Sequence, residues 1–317
     1  MMTSWGHYRR LAGSACALAG LASLMACAPA PQPKTARRSL SVWLIASQVP
    51  ALSSGLARAF AGALPDVDVH FVERDRGIDY ATALQAGNAD VAFLFADIAY
   101  LAFVGELDGK RYDHLRGVAV LDPYPVYVIV RGGAAIRSIE DLRGQRVNVG
   151  PSTSSTALVG DTVLNALDIP VQKFHEAFPE AASMLNDGTL DATFVIGNFP
   201  ADRFDSALRH GARILSLSQS NVEKLRRRHP FVRAMVVPRG IAGDAPVLTI
   251  ALDRLMVCRS GLDADLVYEI TKAFFGSLPD LSASYAPLRQ MNAEDAPATP
   301  IPLHEGAARY YREQATL

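Results

Sequence analysis

Short apolar runs alternate with helix-like stretches along residues 42–196, and this alternation limits the possible folds more than any other feature of the chain. Val42 to Ala46 reads as a strand, Ser53 to Leu64 as a helix stopped by Pro65, Val67 to Val72 as a second strand, and Ile78 to Ala86 as a helix closed by Gly87. Val91 to Phe95 is apolar throughout, as expected of a strand covered on both faces. The middle third repeats this grammar. Val126 to Val130 is followed by a short helix over Ile139 to Arg143, which Ser138 and Asp141 can close with a capping box. Val147 to Val149, a helix from Thr156 to Leu167 halted by Pro170, and Asp191 to Ile196 before a turn at Gly197 to Pro200 complete it. The pattern predicts an α/β protein and excludes a β-sandwich or a helical bundle.

Two α/β lobes of this size, with a middle segment inserted into the first, predict a bilobal clamshell that grips a ligand where strand ends and helix N-termini converge. Residues 40–123 form the first part of lobe 1, 124–240 form lobe 2, and 241–317 return to lobe 1. The crossings are expected near Pro123 to Tyr127 and near Pro238 to Leu248. Pro123 and Pro125, flanking Tyr124, favour the extended backbone that a strand passing between lobes needs.

With 50% hydrophobic and 20% charged residues in 317, the chain can bury one or two cores and is not disordered. Its net charge of -1 provides no field to hold a polyanion, which argues against a nucleic-acid partner. At the N-terminus, Arg9 and Arg10 precede an uncharged stretch from Leu11 to Leu24, as in an export signal. Gly13, Ser14, Gly20 and Ser23 dilute that stretch, and Pro29, Pro31 and Pro33 follow it, so a membrane-spanning helix is disfavoured. Leu24-Met25-Ala26-Cys27 resembles a lipobox. Residues 1–26 are therefore expected to be a lipoprotein signal peptide, Cys27 the lipidated residue, and 27–39 an extended tether, with the membrane reached through the lipid alone. Cys16, Cys27 and Cys258 show no metal-ligand spacing, and Cys258 is expected to be a small buried hydrophobe.

The strongest chemical feature is Gly150-Pro151-Ser152-Thr153-Ser154-Ser155-Thr156, which follows a strand and opens a helix. Free backbone N–H groups, the positive end of the helix dipole and five hydroxyls converge there, a setting suited to a carboxylate. The alternative is a simple N-cap with a solvated loop. No hydrolase elbow is completed, because Ser154 stands where a glycine is required, and no dinucleotide or phosphate loop is present. The seven histidines form no pair suited to a metal or a triad, and Arg226 to Arg228 read as the solvated face of a helix. No cofactor, metal or activated nucleophile is expected, so the chain is read as a non-enzyme.

Several ordered motifs together resemble the TAXI family, the solute-binding receptors of TRAP-type secondary transporters. They are Tyr124-Pro125, the segment from Ile139 to Gly150 with its hydroxyl loop, Asp191 to Phe194 leading to Gly197 and Pro200, Val267 to Lys272, and Pro302 to Tyr311. The resemblance implies a type II periplasmic-binding-protein fold and capture of a small organic acid or amino acid by a monomer. It also implies delivery to TRAP membrane subunits and a location in the periplasm or cell envelope. A lipid-anchored sensor or accessory protein on the same fold is the alternative.

The first lobe departs from the family pattern. The loop after strand one runs Ser47 to Ser54 without glycine, Gly77 and Tyr80 stand where a Ser and an Asn are usual, and Phe95 replaces a Gln ahead of Ala96-Asp97. In the second lobe Ser155 replaces a glycine. These exchanges trade polar contacts for bulk and predict an altered ligand class. The expected pocket holds a carboxylate at Ser152, Thr153, Ser154, Ser155 and Thr156, with Ser47, Ser53, Ser54, Tyr80, Phe95, Tyr124 and Gly197 around the remainder. Core packing is an equal reading for the aromatics. Asp97 is expected to cap the helix that carries Tyr100, and His304 to Tyr311 to dock the last helix on the first lobe.

Overall fold

A computed structural model describes residues 38–45, 49–74, 77–197, 205–241 and 243–315. The signal segment, Cys27, the tether up to residue 37, Ser47 and the turn residues 198–200 lie outside the described residues. In the first half, β1 (Arg38–Ile45), α1 (Val49–Ala63), β2 (Val67–Arg74), α2 (Gly77–Ala86), β3 (Val91–Phe95) and α3 (Ala96–Val104) alternate as the apolar pattern requires. The long β4 (Leu115–Val130) leads to β5 (Arg146–Asn148), α4 (Ser155–Leu167), β6 (Gln172–Phe174), α5 (Phe178–Asp187) and β7 (Ala192–Ile196). Then come α6 (Asp205–Arg209), β8 (Arg213–Ile214), α7 (Gln219–Arg228), β9 (Val232–Val237) and a second long strand, β10 (Val247–Arg259). Helices α8 (Ala264–Gly276), α9 (Leu278–Ser284) and α10 (Glu305–Gln314) close the chain.

The strands make one mixed sheet in the order β2-β1-β3-β10-β4-β7-β5-β6, with β8 on β4 and β9 on β10. Each half has the same grammar. Parallel strands β2-β1-β3 end on antiparallel β10, and parallel strands β6-β5-β7 end on antiparallel β4. The two long strands join the halves by changing partners along their length. β10 pairs with β9 as far as Leu252 and with β3 from Arg254, while β4 acquires β7 at Val126. The change of partner on β10 falls between Leu252 and Arg254, because β9 and the start of β10 pair as neighbours before β3 takes over. Pro123 and Pro125 lie in β4 opposite Asp253 and Ala251 of β10, just before β7 joins at Val126. The N–H groups they lack would face the side where no strand is paired at that point.

Three apolar clusters hold the layers. Leu40, Leu52, Leu56, Phe60, Phe93 and Phe274 pack under α1 and α8 on one face of the first half. Ile129, Ala181, Leu185 and Val237 pack under α5 in the second. The largest cluster spans both halves, from Tyr80, Leu84 and Ile98 to Val159, Leu225 and Phe231. Cys258 is fully buried in the first-half core, and burial raises its thiol pKa. The last helix docks on the first half. The Tyr311 hydroxyl donates to the Val118 carbonyl at 2.8 Å, and His304 caps α10 by accepting from the Gly306 amide at 3.2 Å. Among the described residues no helix is long and apolar enough to cross a membrane.

Candidate functional site in the interlobe cleft

The C-terminal ends of β3, β5 and β7 run directly into Asp97, the hydroxyl loop and Gly197. An open α/β sheet binds its ligands at such strand ends. The loop after β5 begins at Gly150, whose φ of 83° is left-handed; a Cβ there would lie 3.2 Å from Cβ of Thr156. That turn folds the chain back so that Ser154 becomes the N-cap of α4. Its Oγ accepts from the Ala157 amide at 3.2 Å and donates to the Pro151 carbonyl at 2.6 Å. One of the five hydroxyls is therefore committed to capping. Ser152 and Thr153 are exposed, Ser155 is half-buried and Thr156 is buried. The amides of Ser155 and Thr156, in the first turn of α4, have no intrahelical acceptor by geometry and add the positive end of the helix dipole. His175 lies behind the loop, with Nδ1 3.1 Å from the Gly150 carbonyl oxygen.

Facing this loop from the first half is Asp97, the second residue of α3. The N-cap of α3 is Phe95, whose side chain makes no capping hydrogen bond. Asp97 serves its own first turn instead, with Oδ1 accepting from the Ile98 amide at 2.8 Å. The same oxygen lies 3.5 Å from Ser155 Oγ of the second half. The carboxyl is fully buried, Oδ2 has no hydrogen-bond partner, and burial pushes its pKa up to about 7. One turn further along α3, Tyr100 meets Phe231 of the second half with ring centroids 5.6 Å apart. The two halves thus touch along α3.

The crossing strands carry a buried polar core. Arg254 and Asp122 are both fully buried; Oδ1 of Asp122 accepts from Nε of Arg254 at 3.0 Å and also from Nη2. The guanidinium lies over the rings of Tyr285 and Tyr124, 4.9 and 5.9 Å from their centroids. The two tyrosine hydroxyls are 2.9 Å apart, and Phe95 meets Tyr124 edge-on at 5.1 Å. Next to this group, burial lifts the Asp253 carboxyl to about 6, opposed by Arg233, whose Nη1 donates to it at 3.1 Å.

The structure brings together Phe95, Tyr124, Asp97, Ser155 and the first turn of α4, and it places Gly197 against β4 through its amide to the Pro125 carbonyl at 3.2 Å. Tyr80 lies elsewhere. It is fully buried in the large cluster that spans both halves, meets Trp43 edge-on at 5.9 Å, and its hydroxyl donates to the Arg74 carbonyl at 2.6 Å. Ser53 is half-buried and Ser54 exposed on α1. The neighbouring Gly55 abuts Leu281 of α9. Arg226, Arg227 and Arg228 are exposed on α7, and the first two line a surface cavity with Glu223, Pro230 and Val232. Sequence reasoning missed Asp122, Arg254 and Tyr285. The available signal was a charged pair, Asp253-Arg254, inside the apolar run from Ile250 to Val257. Among the described residues no cluster of His, Cys, Asp and Glu is arranged to hold a metal ion.

Two halves of identical strand order, joined by two long strands, match the type II periplasmic-binding-protein fold. The chain belongs to the NMT1-like family, which matches residues 65–315. Among solved structures, XAC2383 from Xanthomonas citri bound to ATP superposes with a TM-score of 0.55 at 12% identity, covering 88% of this chain and 96% of that one. The same protein bound to chloride ion gives 0.53 at 13% identity, covering 88% and 99%. The periplasmic sulfonate-binding protein SsuA from Methylobacillus flagellatus KT gives 0.54 at 14% identity, covering 86% and 77%. At these identities the likeness concerns the fold alone.

Proposed function

We propose that the chain is an extracytoplasmic solute-binding receptor that captures a small organic acid or amino acid between its halves and passes it to the membrane subunits of a transporter. The observation that carries this reading is the approach of the N-terminal turns of α3 and α4, in which the buried Asp97 carboxyl of the first half lies 3.5 Å from Ser155 Oγ of the second. Such a point can orient a small polar solute, and among the described residues the two crossing strands β4 and β10 are the strand connections that would need to bend for it to enter. The names of the fold relatives support the same role, since SsuA from Methylobacillus flagellatus KT is described as a sulfonate-binding protein of an ABC transporter. The TAXI-like motifs favour a TRAP-type membrane pair over an ABC one. The leader and Cys27 favour a receptor held to the envelope by lipid, and the TAXI-like motifs favour a monomer that catalyses no reaction.

Native mass spectrometry of the purified protein, followed by thermal-shift titration with a panel of aliphatic, aromatic and amino acids, tests this. A solute at 100-fold above Kd stabilises its receptor by about 2.7 kcal/mol. The expected result is a shift with one class of acid that Ser155→Ala or Thr156→Ala removes. Ser154→Ala is a poor probe, because it removes the cap of α4 in any case. No bound mass and no shift across the panel would refute the receptor and favour a lipid-anchored accessory protein.

A further inference from the structure

Strand β9 is an edge that the fold leaves open. Among the described residues it pairs with β10 alone, and the register of that pair fixes which of its backbone groups are spare. Leu248, opposite Val236, turns both its groups away from β9: its amide donates to Ser216 Oγ at 3.0 Å and its carbonyl accepts from the Leu217 amide at 2.8 Å. Directly opposed residues of an antiparallel pair either bond to each other or both turn away, and the two states alternate along the strand. Val236, Ala234 and Val232 therefore turn their backbone groups outward. The Val232 amide is taken by the His229 carbonyl at 3.0 Å, which leaves those of Ala234 and Val236 for a further strand. Natural sheets blunt such an edge with unpaired charges, a proline or a bulge. The six residues of β9 have none of these, since the single charge, Arg233, is held by Asp253 at 3.1 Å and Asp295 at 3.3 Å. Instead Val236 is 58% exposed and Ile241, in the turn that follows, 44%. Val232, Ala234 and Val236 share one face of the strand. Val232 also lines the surface cavity with Glu223, Arg226, Arg227 and Pro230, so α7 borders that face. Glu223, which accepts from Gln219 at 3.1 Å, is the one acid of α7 against Lys224, Arg226, Arg227 and Arg228.

We infer that the open edge of β9 is a docking site for an extended, acidic segment of a partner protein, which adds a strand beside Ala234 and Val236. Main-chain hydrogen bonds to those two residues supply affinity, and the side chains at alternate positions of the segment supply selectivity. A carboxylate beside Val232 meets Arg226 and Arg227, and apolar side chains two and four residues away lie against Ala234 and Val236. A second copy of the chain is a poorer occupant. Joining β9 to β9 in antiparallel fashion sets the two α7 helices, each with an excess of basic residues, on one face of the joined sheet. The inference goes beyond the receptor reading and does not depend on it.

Fluorescence anisotropy of the full chain with two labelled probe peptides, Glu-Thr-Val-Thr-Val and its reverse Val-Thr-Val-Thr-Glu, tests both strand directions. The expected result is saturable binding by one of them, weakened by at least about tenfold when its glutamate is replaced by lysine. Methylating one alternate set of its backbone nitrogens should weaken it by a similar factor, and methylating the other set should not. Val236→Lys alters an exposed side chain and should abolish binding, while Arg226→Glu combined with Arg227→Glu should move the preference to the lysine peptide. Hydrogen exchange followed by NMR should find the Ala234 and Val236 amides open in the free protein and protected by the peptide, with those of Arg233 and Met235 protected throughout. Three results overturn the inference and leave the receptor reading untouched: no saturable binding in either direction up to about 1 mM, binding indifferent to the glutamate or to methylation, or a dimer that Val236→Lys dissociates.

Discussion

Replacing Asp97 by Asn should change the pH dependence of stability in a direction the structure fixes. Burial raises this carboxyl from an ordinary 3.8 to about 7, so the native state holds the proton more tightly than the unfolded chain does. Below pH 4 both states are protonated and the group costs nothing. As pH rises through 4 to 7 the unfolded chain ionises first, and native stability falls; above 7 the full cost is present. At 1.36 kcal/mol per pH unit the displacement amounts to about 4 kcal/mol. Asn has the same shape and does not titrate. Its amide nitrogen takes the place of the unpartnered Oδ2, an offset of about 1–3 kcal/mol that is the same at every pH. The stability of the variant minus that of the parent should therefore grow by about 4 kcal/mol between pH 4 and pH 8. At about 2 °C per kcal/mol for a chain of this size, the difference in Tm should widen by about 8 °C. Urea unfolding followed by circular dichroism at four pH values measures this. A difference that stays flat across the range refutes the claim that an ionised Asp97 is held without a counter-charge.

Asp191 provides the opposite case. The guanidinium of Arg146, helped by Arg131, holds its carboxyl down near about 2, with the Arg146 Nε bond at 2.8 Å. Its contribution of about 2 kcal/mol is present above pH 4 and disappears as pH falls from 4 to 2, so Asp191→Asn should reduce the acid sensitivity in that window by about that amount, as read by thermal unfolding. Arg254→Met would leave the buried Asp122 carboxyl without its cation and should cost about 3–5 kcal/mol in urea denaturation, whereas Arg254→Met combined with Asp122→Leu should cost much less. Cys258 should resist maleimide in the native protein and react on unfolding, with the label located by peptide mass spectrometry, because its thiol is fully buried and its pKa is raised. Gly306→Ala would drive a methyl group into the Ala264 carbonyl at the seam between α8 and α10, and it should loosen the C-terminal helix to proteolysis.

Much of the framework was legible because it depends on local rules. The apolar run from Val91 to Phe95 is β3, and Ser138 with Asp141 forms the capping box over the short turn Ile139–Leu142. The helix after Ser154 begins where the cap dictates, and Pro170 lies just past its end at Leu167. β4 was read only in its last third, from Val126, because Pro123 and Pro125 count against a strand wherever both sides must be paired. Here β10 alone pairs with that stretch, a fact of topology that a local reading cannot supply. The same holds for β10 itself, whose burial on both faces hides any period-two pattern.

At the candidate site the division is sharper. The hydroxyl loop and the aromatics stood out by composition, but their roles depend on partners far away in the sequence. Tyr80 and Tyr124 are the same residue type in similar apolar settings. Tyr80 turns into the large shared core toward Trp43, and Tyr124 joins Phe95 and Tyr285 at the crossing. By itself the sequence determined the α/β alternation, the helix caps and the absence of an obvious nucleophile, since each follows from the chemistry of a few adjacent residues. Only the tertiary structure decided that Asp97 faces α4 rather than water, and that Arg254 of β10 pairs with Asp122 on the neighbouring strand β4. A carboxyl's role is set by what surrounds it, and its surroundings come from a helix 58 residues away for Asp97 and a strand 132 residues away for Asp122.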